Sequence, residues 1–379
     1  MFDYETLKLI WWAFVGVLII GFALMDGFDF GVGMLLPFVA KTDMERRIVI
    51  NSIGPTWEGN QTWFIAAGGA LFAAWPLAYA AAFSGFYVAL MLLLFSLFFR
   101  PVGFDYRSKV QDPRWRSAWD WALFVGGFVP PLIFGIAFGN LLLGVPFHYD
   151  ASMRLEYVGG ILGLLNPFGL LAGILSVAML LMHGAAFLRS KTEGVVRDRA
   201  KPILLAAAIT TVCSFVIAGI WVAFGIDGYR IISMPDANTS FMPVMKTVER
   251  ASGAWLSNYS SAPILWCLPA IGLLTTIFSP VFAYKNRDVV AFLCSGVAVA
   301  MVILTAGVSM FPFVMPSSLH PSSSLTAWDV VASHKSLGVM FWVVVIFLPL
   351  IMAYTAWIYR VLRGKIGEAH ISANEHSAY

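Results

Sequence analysis

The longest apolar stretch of the chain is LIWWAFVGVLIIGFALMDGFDFGVGMLLPFV, residues 9–39, in which Asp26 and Asp29 are the only charged residues. A helix needs about 20 mostly apolar residues to cross a bilayer. At a rise of about 1.5 Å per residue this stretch would extend about 46 Å, beyond a hydrocarbon core of about 30 Å. It therefore predicts a transmembrane helix that tilts, kinks or protrudes and that carries two carboxyl groups inside the membrane.

The composition of the whole chain agrees with a membrane location. Of its 379 residues 59% are apolar and 12% are charged, with a mean hydropathy of +0.80, whereas a soluble domain is about 25% charged. A soluble enzyme and a disordered chain are both excluded. The net charge of +3, without a dense basic stripe, gives no indication of nucleic-acid binding. The three cysteines lie in apolar runs, which predicts neither disulfides nor a cysteine metal site.

Eight apolar segments are clear candidates for spanning helices, and a ninth is less obvious because it contains Asn51, Glu58, Asn60 and Gln61. If the ninth segment spans, 18 of the 24 Lys and Arg residues fall on one side of the membrane, as the positive-inside rule requires. We therefore predict an all-α polytopic membrane protein, a single domain over residues 1–379, with a periplasmic N-terminus and a cytoplasmic C-terminus. The nine helices are predicted near 9–39, 48–74, 77–99, 118–143, 161–188, 203–225, 262–283, 289–312 and 337–360.

The acids of the first two predicted helices have a high free energy of transfer into the bilayer when they are ionised. A charge at mid-bilayer costs about 2.5–3.5 kcal/mol on insertion scales, so Asp26, Asp29 and Glu58 must face protein, water or a partner subunit. Asp26 and Asp29 are i, i+3 neighbours, and two such carboxylates in low dielectric do not readily both ionise. One would hold a proton, or both would bind a cation. Structural hydrogen bonding and a proton or ion pathway are the two interpretations.

Two further polar residues in the apolar segments require an interpretation. Arg100 precedes Pro101 at the end of the third predicted helix, which fits a snorkelling anchor, a counter-charge to Glu58, or a partner for an anionic group on another subunit. His183 has no second intramembrane histidine opposite it, which favours a structural histidine over a haem ligand. Since no strong haem, iron–sulfur or nucleotide motif is present, the residues alone indicate a transporter, a proton-conducting subunit or a redox subunit rather than a self-sufficient enzyme.

Several long motifs surround these residues: MDGFDFGVG (25–33), WEGNQ (57–61), GGALFAAWP (68–76), FFRPVGFDYR (98–107) and FPFVMPSS (311–318). At these motifs, and essentially from end to end, the chain resembles the subunit II family of cytochrome bd-type quinol oxidases, in particular the enterobacterial forms. The resemblance implies an oxidoreductase complex of the bacterial inner membrane that oxidises quinol, reduces O2 to water, and generates a proton motive force without pumping.

The resemblance also implies partners and cofactors. A subunit I is expected to carry the haem b and haem d-type groups and the quinol site, and to form an obligate heterodimer with this chain. This chain is expected to stabilise subunit I and to hold no haem and no metal of its own, although a structural quinone is found in some members. Small single-helix subunits and membrane lipid are further expected partners.

The resemblance assigns a proton relay to Glu58, the acid of the Trp-acid-Gly-Asn motif, for which some relatives have Asp. Five other residues are expected to line or tune the same region: Asp26, Asp29, Asn60, Gln61 and Arg100. Trp57 and Trp63 are expected either to line an oxygen path or to pack. The alternative function is a standalone ion-coupled secondary transporter that uses Asp26, Asp29 and Glu58 as its ion site.

Overall fold

A computed structural model describes residues 2–150 and 152–373, most of which are helical. The helices are α1 (Tyr4–Val39), α2 (Asp43–Ile53), α3 (Trp57–Ala74), α4 (Pro76–Gly85), α5 (Tyr87–Leu97), α6 (Phe99–Tyr106), α7 (Pro113–Leu143), α8 (Ile161–Leu164), α9 (Pro167–Lys191), α10 (Gly194–Phe224), α11 (Ser257–Ser261), α12 (Cys267–Tyr284), α13 (Asp288–Met310), α14 (His334–Val361) and α15 (Glu368–Ala373). Three two-stranded antiparallel sheets lie in the connections: β1 (Phe147–Tyr149) with β2 (Leu155–Tyr157), β3 (Asp227–Ser233) with β4 (Thr247–Ser252), and β5 (Phe313–Met315) with β6 (Leu325–Thr326).

The number of spanning helices agrees with the prediction. Within the described residues, eight helical segments are long and apolar enough to cross a membrane, and the pair α3 and α4, bent by 119°, makes a ninth when it is counted as one span. The predicted segment 48–74 is two helices rather than one, because α2 ends at Ile53 and α3 begins at Trp57. Pro55 lies in this break, where the absence of a backbone N–H disfavours a continuous helix.

The long first helix occupies the centre of the bundle. α1 runs unbroken through 36 residues and packs against α3, α7, α9 and α13. It meets α9 where Gly31 lies against Gly184, so closely that a β-carbon on Gly31 would overlap the Leu180 carbonyl oxygen. Only glycine permits this approach of two backbones, as is common between membrane helices. Gly31 therefore allows a close contact between α1 and α9 on a face of α1 that points away from both acids, which contact α3 and α6 instead.

The side of the bundle with fewer basic residues is closed by the sheets and loops, and two lysines are buried there. Lys246 forms an ion pair with Asp329 at 2.9 Å, and neither side chain is exposed. Lys8 donates from Nζ to the carbonyl oxygens of Ala237 at 2.8 Å, Thr239 at 2.9 Å and Trp328 at 2.8 Å. Burial raises the pKa of Asp329 and lowers the pKa of Lys246, and each charge opposes the shift of the other.

Candidate functional site

A buried ion pair between α1 and α6 forms the centre of the candidate site. Arg100 donates from Nη1 to Asp26 Oδ2 at 3.0 Å and from Nη2 to Asp26 Oδ1 at 2.5 Å. The two side chains are only 3% and 1% exposed. The Arg100 guanidinium also lies over the ring of Phe30 at 4.6 Å and near the ring of Trp57 at 5.7 Å. Arg100 is therefore a counter-charge inside the bundle and not a snorkelling anchor.

The second acid of α1 joins the same cluster with fewer partners. Asp29 Oδ2 lies 4.0 Å from Arg100 Nη2 and accepts a hydrogen bond of 2.8 Å from Asn60 Nδ2. Asp29 Oδ1 is buried and has no hydrogen-bond partner among the described residues. Two carboxyl groups thus share one guanidinium, and only Asp26 is fully engaged by it. If both acids were ionised, the cluster would hold an uncompensated buried negative charge, which is costly.

The hydrogen-bond chain of the cluster continues to the last long helix. Tyr359 on α14 donates from its hydroxyl to Asn60 Oδ1 at 2.8 Å. Asn60 therefore bridges α14 and α1, with its carbonyl end on the tyrosine and its amide end on Asp29. Sequence reasoning missed Tyr359, which is 299 residues from Asn60 and reads as an ordinary interfacial aromatic next to Arg360.

Glu58 lies outside this cluster. It is in the first turn of α3 and exposed on the surface of the chain, whereas Asn60, two residues further on, is buried. Side chains two positions apart on a helix point about 200° apart, so the two residues face opposite directions. The expected pairing of Arg100 with Glu58 is wrong, because Asp26 takes up the guanidinium and Glu58 faces away from the interior of the bundle.

Of the other residues expected near the site, Trp57 is buried, whereas Trp63 and Gln61 are half-buried. Trp57 is 6% exposed and stacks on Phe104 with ring centroids 5.0 Å apart. Trp63 is half-buried and its ring packs onto α1 at Gly21. Gln61 is half-buried beside these residues on α3. The structure thus brings together Asp26, Asp29, Arg100, Asn60 and Trp57, and leaves Glu58 on the surface.

His183 is a structural histidine. Its Nδ1 lies 2.8 Å from Ser295 Oγ and its Nε2 lies 3.0 Å from the Leu24 carbonyl oxygen, so both ring nitrogens have partners. The ring stacks on Phe292 at a centroid distance of 4.8 Å. Within residues 2–150 and 152–373, no group of three or more His, Cys, Asp or Glu side chains is arranged to hold a metal ion.

The fold and the buried cluster define a class, namely the polytopic helical membrane proteins whose interior contains ionisable groups. This chain belongs to the cytochrome bd terminal oxidase subunit II family, whose model matches residues 7–362. It is therefore a subunit of a respiratory oxidoreductase complex that contains haem, has a partner subunit I, and lies in the bacterial inner membrane as a multi-pass protein. The alternative of a standalone transporter is not supported.

Individual relatives give the same assignment. The chain is 54% identical over 379 residues to "Cytochrome bd-I ubiquinol oxidase subunit 2" of Escherichia coli (strain K12), with 100% of both chains covered. It is 49% identical over 379 residues to "Probable cytochrome oxidase subunit 2" of Haemophilus influenzae, again with 100% coverage of both. A chain in the structure of the bd oxidase from Geobacillus thermodenitrificans shares the fold, with a TM-score of 0.69 at 16% identity over 94% of this chain and 99% of that one.

Proposed function

We propose that this chain is the haem-free subunit of a complex that oxidises quinol and reduces O2 to water without pumping protons. The haem b and haem d-type groups and the quinol site would lie in subunit I, while this chain forms one membrane-embedded unit that stabilises subunit I. Full occupation of both ring nitrogens of His183 supports a location of the haems outside this chain. Small single-helix subunits, lipid and a structural quinone are proposed as further components.

The proton path is proposed to use the cluster of Asp26, Asp29 and Arg100. The observation that carries this proposal is the imbalance of two buried carboxyl groups on one guanidinium, with Asp29 Oδ1 unpaired. Asp26 would stay ionised in its pair with Arg100, while Asp29 would gain and lose a proton. Asp29 would then exchange protons with the side of the membrane that holds most of the Lys and Arg residues, which is the cytoplasmic side by the positive-inside rule.

Glu58 is proposed to relay protons at the contact with subunit I. An exposed carboxyl on a membrane helix must be covered by protein or reached by water, because lipid is a costly environment for its charge. The exposed residues Gly59, Thr62, Ala66 and Gly69 follow a 3-4-3 spacing beside it on α3. Small residues at this spacing let another helix approach closely. The exposed face of α3 is therefore the proposed contact surface with subunit I. Trp63, which lies near this face, is separately proposed to line an oxygen path.

The proposal is tested by replacing Glu58 with Gln in the assembled complex. The Glu58→Gln variant is expected to copurify with subunit I at normal haem content and to consume O2 with quinol at least about tenfold more slowly, since removal of a proton-transfer group typically costs about 100-fold or more. Glu58→Asp, which keeps a carboxyl group at this position, is the matched control and is expected to keep most of the wild-type turnover. Unchanged O2 consumption in Glu58→Gln contradicts the relay, and a colourless, partner-free preparation of the wild-type chain contradicts the assignment as an oxidase subunit.

A further inference from the structure

The last long helix touches the bundle mainly near its two ends. The buried residues of α14 are Leu337 and Gly338, close to its first turn, and most of its length is exposed. Near its other end Tyr359 turns inward and packs against the apolar cluster that contains Trp57 and Phe104. The Tyr359 hydroxyl reaches Asn60 and, through Asn60, the carboxyl of Asp29. A helix that otherwise faces outward therefore contributes one polar group to the buried cluster.

The two ends of the Asn60 amide have different hydrogen-bonding roles, so the orientation of the amide matters for Asp29. An asparagine side chain has an acceptor at Oδ1 and two donors at Nδ2. With Oδ1 held by the Tyr359 hydroxyl, Nδ2 points to Asp29 Oδ2 and donates to it at 2.8 Å. A donated hydrogen bond stabilises the ionised form of a carboxyl group. If the amide turned over, Oδ1 would face Asp29, and only the protonated acid donates to an acceptor.

From this geometry we infer that Tyr359 is a positioning residue that fixes the orientation of Asn60 and thereby sets how tightly Asp29 holds its proton. The inference rests on the proposed proton exchange at Asp29. Three other ionisable or polar groups surround this acid: Asp26 on the same helix, Arg100 on α6 and Asn60 on α3. Of these, Asn60 alone has a donor end and an acceptor end, so its orientation is the variable that a distant hydroxyl controls.

The test compares Tyr359→Phe with Tyr354→Phe in the complete complex. Tyr354 is exposed on the same helix, so its replacement controls for loss of a tyrosine hydroxyl from α14. In Tyr359→Phe the amide of Asn60 is free to turn, which favours the protonated acid. The pH profile of quinol-dependent O2 consumption is therefore expected to move by about one pH unit toward alkaline pH, equal to about tenfold in proton affinity. Tyr354→Phe is expected to keep the wild-type profile at the same haem content.

Two further measurements separate this inference from the function on which it rests. Asp29→Asn removes the exchanging acid, so Tyr359→Phe added to Asp29→Asn should cause no further change. If Asp29→Asn itself keeps the wild-type profile, the proton exchange at Asp29 is wrong. If Asp29→Asn changes the profile but Tyr359→Phe behaves as Tyr354→Phe does, the positioning role is wrong while the proton exchange stands.

An infrared titration makes the test independent of turnover. The carboxylic acid band that is lost in Asp29→Asn should titrate in the resting complex, and its midpoint should move toward alkaline pH in Tyr359→Phe. An unmoved midpoint overturns the inference even if the substitution lowers activity through a small effect on assembly.

Discussion

Two of the buried ion pairs of this bundle lie at different depths, and they differ in how completely their polar atoms are satisfied. The pair of Lys246 and Asp329, called the outer pair below, lies between the connections on the side of the bundle with fewer basic residues, and in it one amine binds one carboxyl group. In the interior, one guanidinium serves two carboxyl groups, and Asp29 Oδ1 is left without a partner among the described residues. A balanced and hydrogen-bonded pair is suited to holding segments together, whereas an excess carboxyl is suited to exchanging a proton.

The two pairs also differ in which segments of the chain supply their hydrogen-bond partners. Asp329 also accepts hydrogen bonds from the backbone N–H and the hydroxyl of Thr326, and Lys246 also donates to the carbonyl oxygens of Pro243 and Ser324. Thr326 and Pro243 are each three residues from the side chain they contact, Ser324 is 78 residues from Lys246, and all of them lie in the connections that close one end of the bundle. The interior cluster instead draws one residue each from α3, α6 and α14 onto α1. The outer pair is therefore expected to affect stability alone, and the interior cluster both stability and proton transfer.

The largest effect is expected from Arg100→Met. Removing the guanidinium leaves Asp26 and Asp29 buried without their cation, and breaking a buried pair in this way costs about 3–5 kcal/mol. We expect loss of the assembled complex or a strongly lowered melting temperature in detergent, measured by thermal shift and by haem recovery. Arg360→Met, on an exposed basic residue of α14, is the control. Wild-type stability of Arg100→Met would show that Asp26 does not depend on its partner.

A somewhat smaller effect is expected from Lys246→Met, because only one acid loses its partner. We expect a loss near the lower end of the same range, about 3 kcal/mol, while turnover per assembled complex stays normal. Adding Asp329→Leu should recover most of the lost stability, since an apolar pair of similar volume replaces a buried ion pair at little cost. If the double variant is no more stable than the single variant, the outer pair is not an isolated structural contact.

Gly31→Ala is expected to have an intermediate effect through packing. The added methyl group meets the backbone of α9, which cannot move aside as a flexible side chain would. Overpacking of this kind costs about 1–3 kcal/mol, and we expect a lower melting temperature of the complex. Gly16→Ala on the same helix, where a β-carbon meets nothing within 4 Å, should be neutral. Equal stability of both variants would contradict the close contact between α1 and α9.

The smallest effect on stability is expected from Asp29→Asn. The amide keeps the shape of the side chain and removes the excess buried charge, so the melting temperature should change little, by less than about 1 kcal/mol in stability. Turnover should nevertheless fall, because the amide does not exchange a proton at neutral pH. Normal turnover at normal stability would show that the interior cluster, like the outer pair, is only structural.

Most of the fold follows from hydropathy, and much less of the site does. Apolar runs and the distribution of Lys and Arg predict nine spans, which agrees with the eight or nine helices of the described residues. The break at Pro55 was missed because a hydropathy window averages over it. For the site, the cost of burying acids identified Asp26 and Asp29 correctly as interior residues. The same reasoning left open whether Glu58 faces the bundle, water or a partner subunit, because depth in the membrane does not tell which direction a helix face points.

Residue types along the chain are enough to predict that this protein lies in a membrane, that eight of its segments are clearly apolar enough to cross it, and that a few acids on its first helices must be sheltered, because the cost of transferring a segment into lipid depends mainly on its residue types. The packed helices were needed to show that Arg100 pairs with Asp26, that Glu58 faces outward, and that Tyr359 contacts Asn60 from 299 residues further along the chain. Those contacts depend on the rotation and crossing of packed helices. Such features arise from contacts between distant segments, and no local pattern along the chain records them.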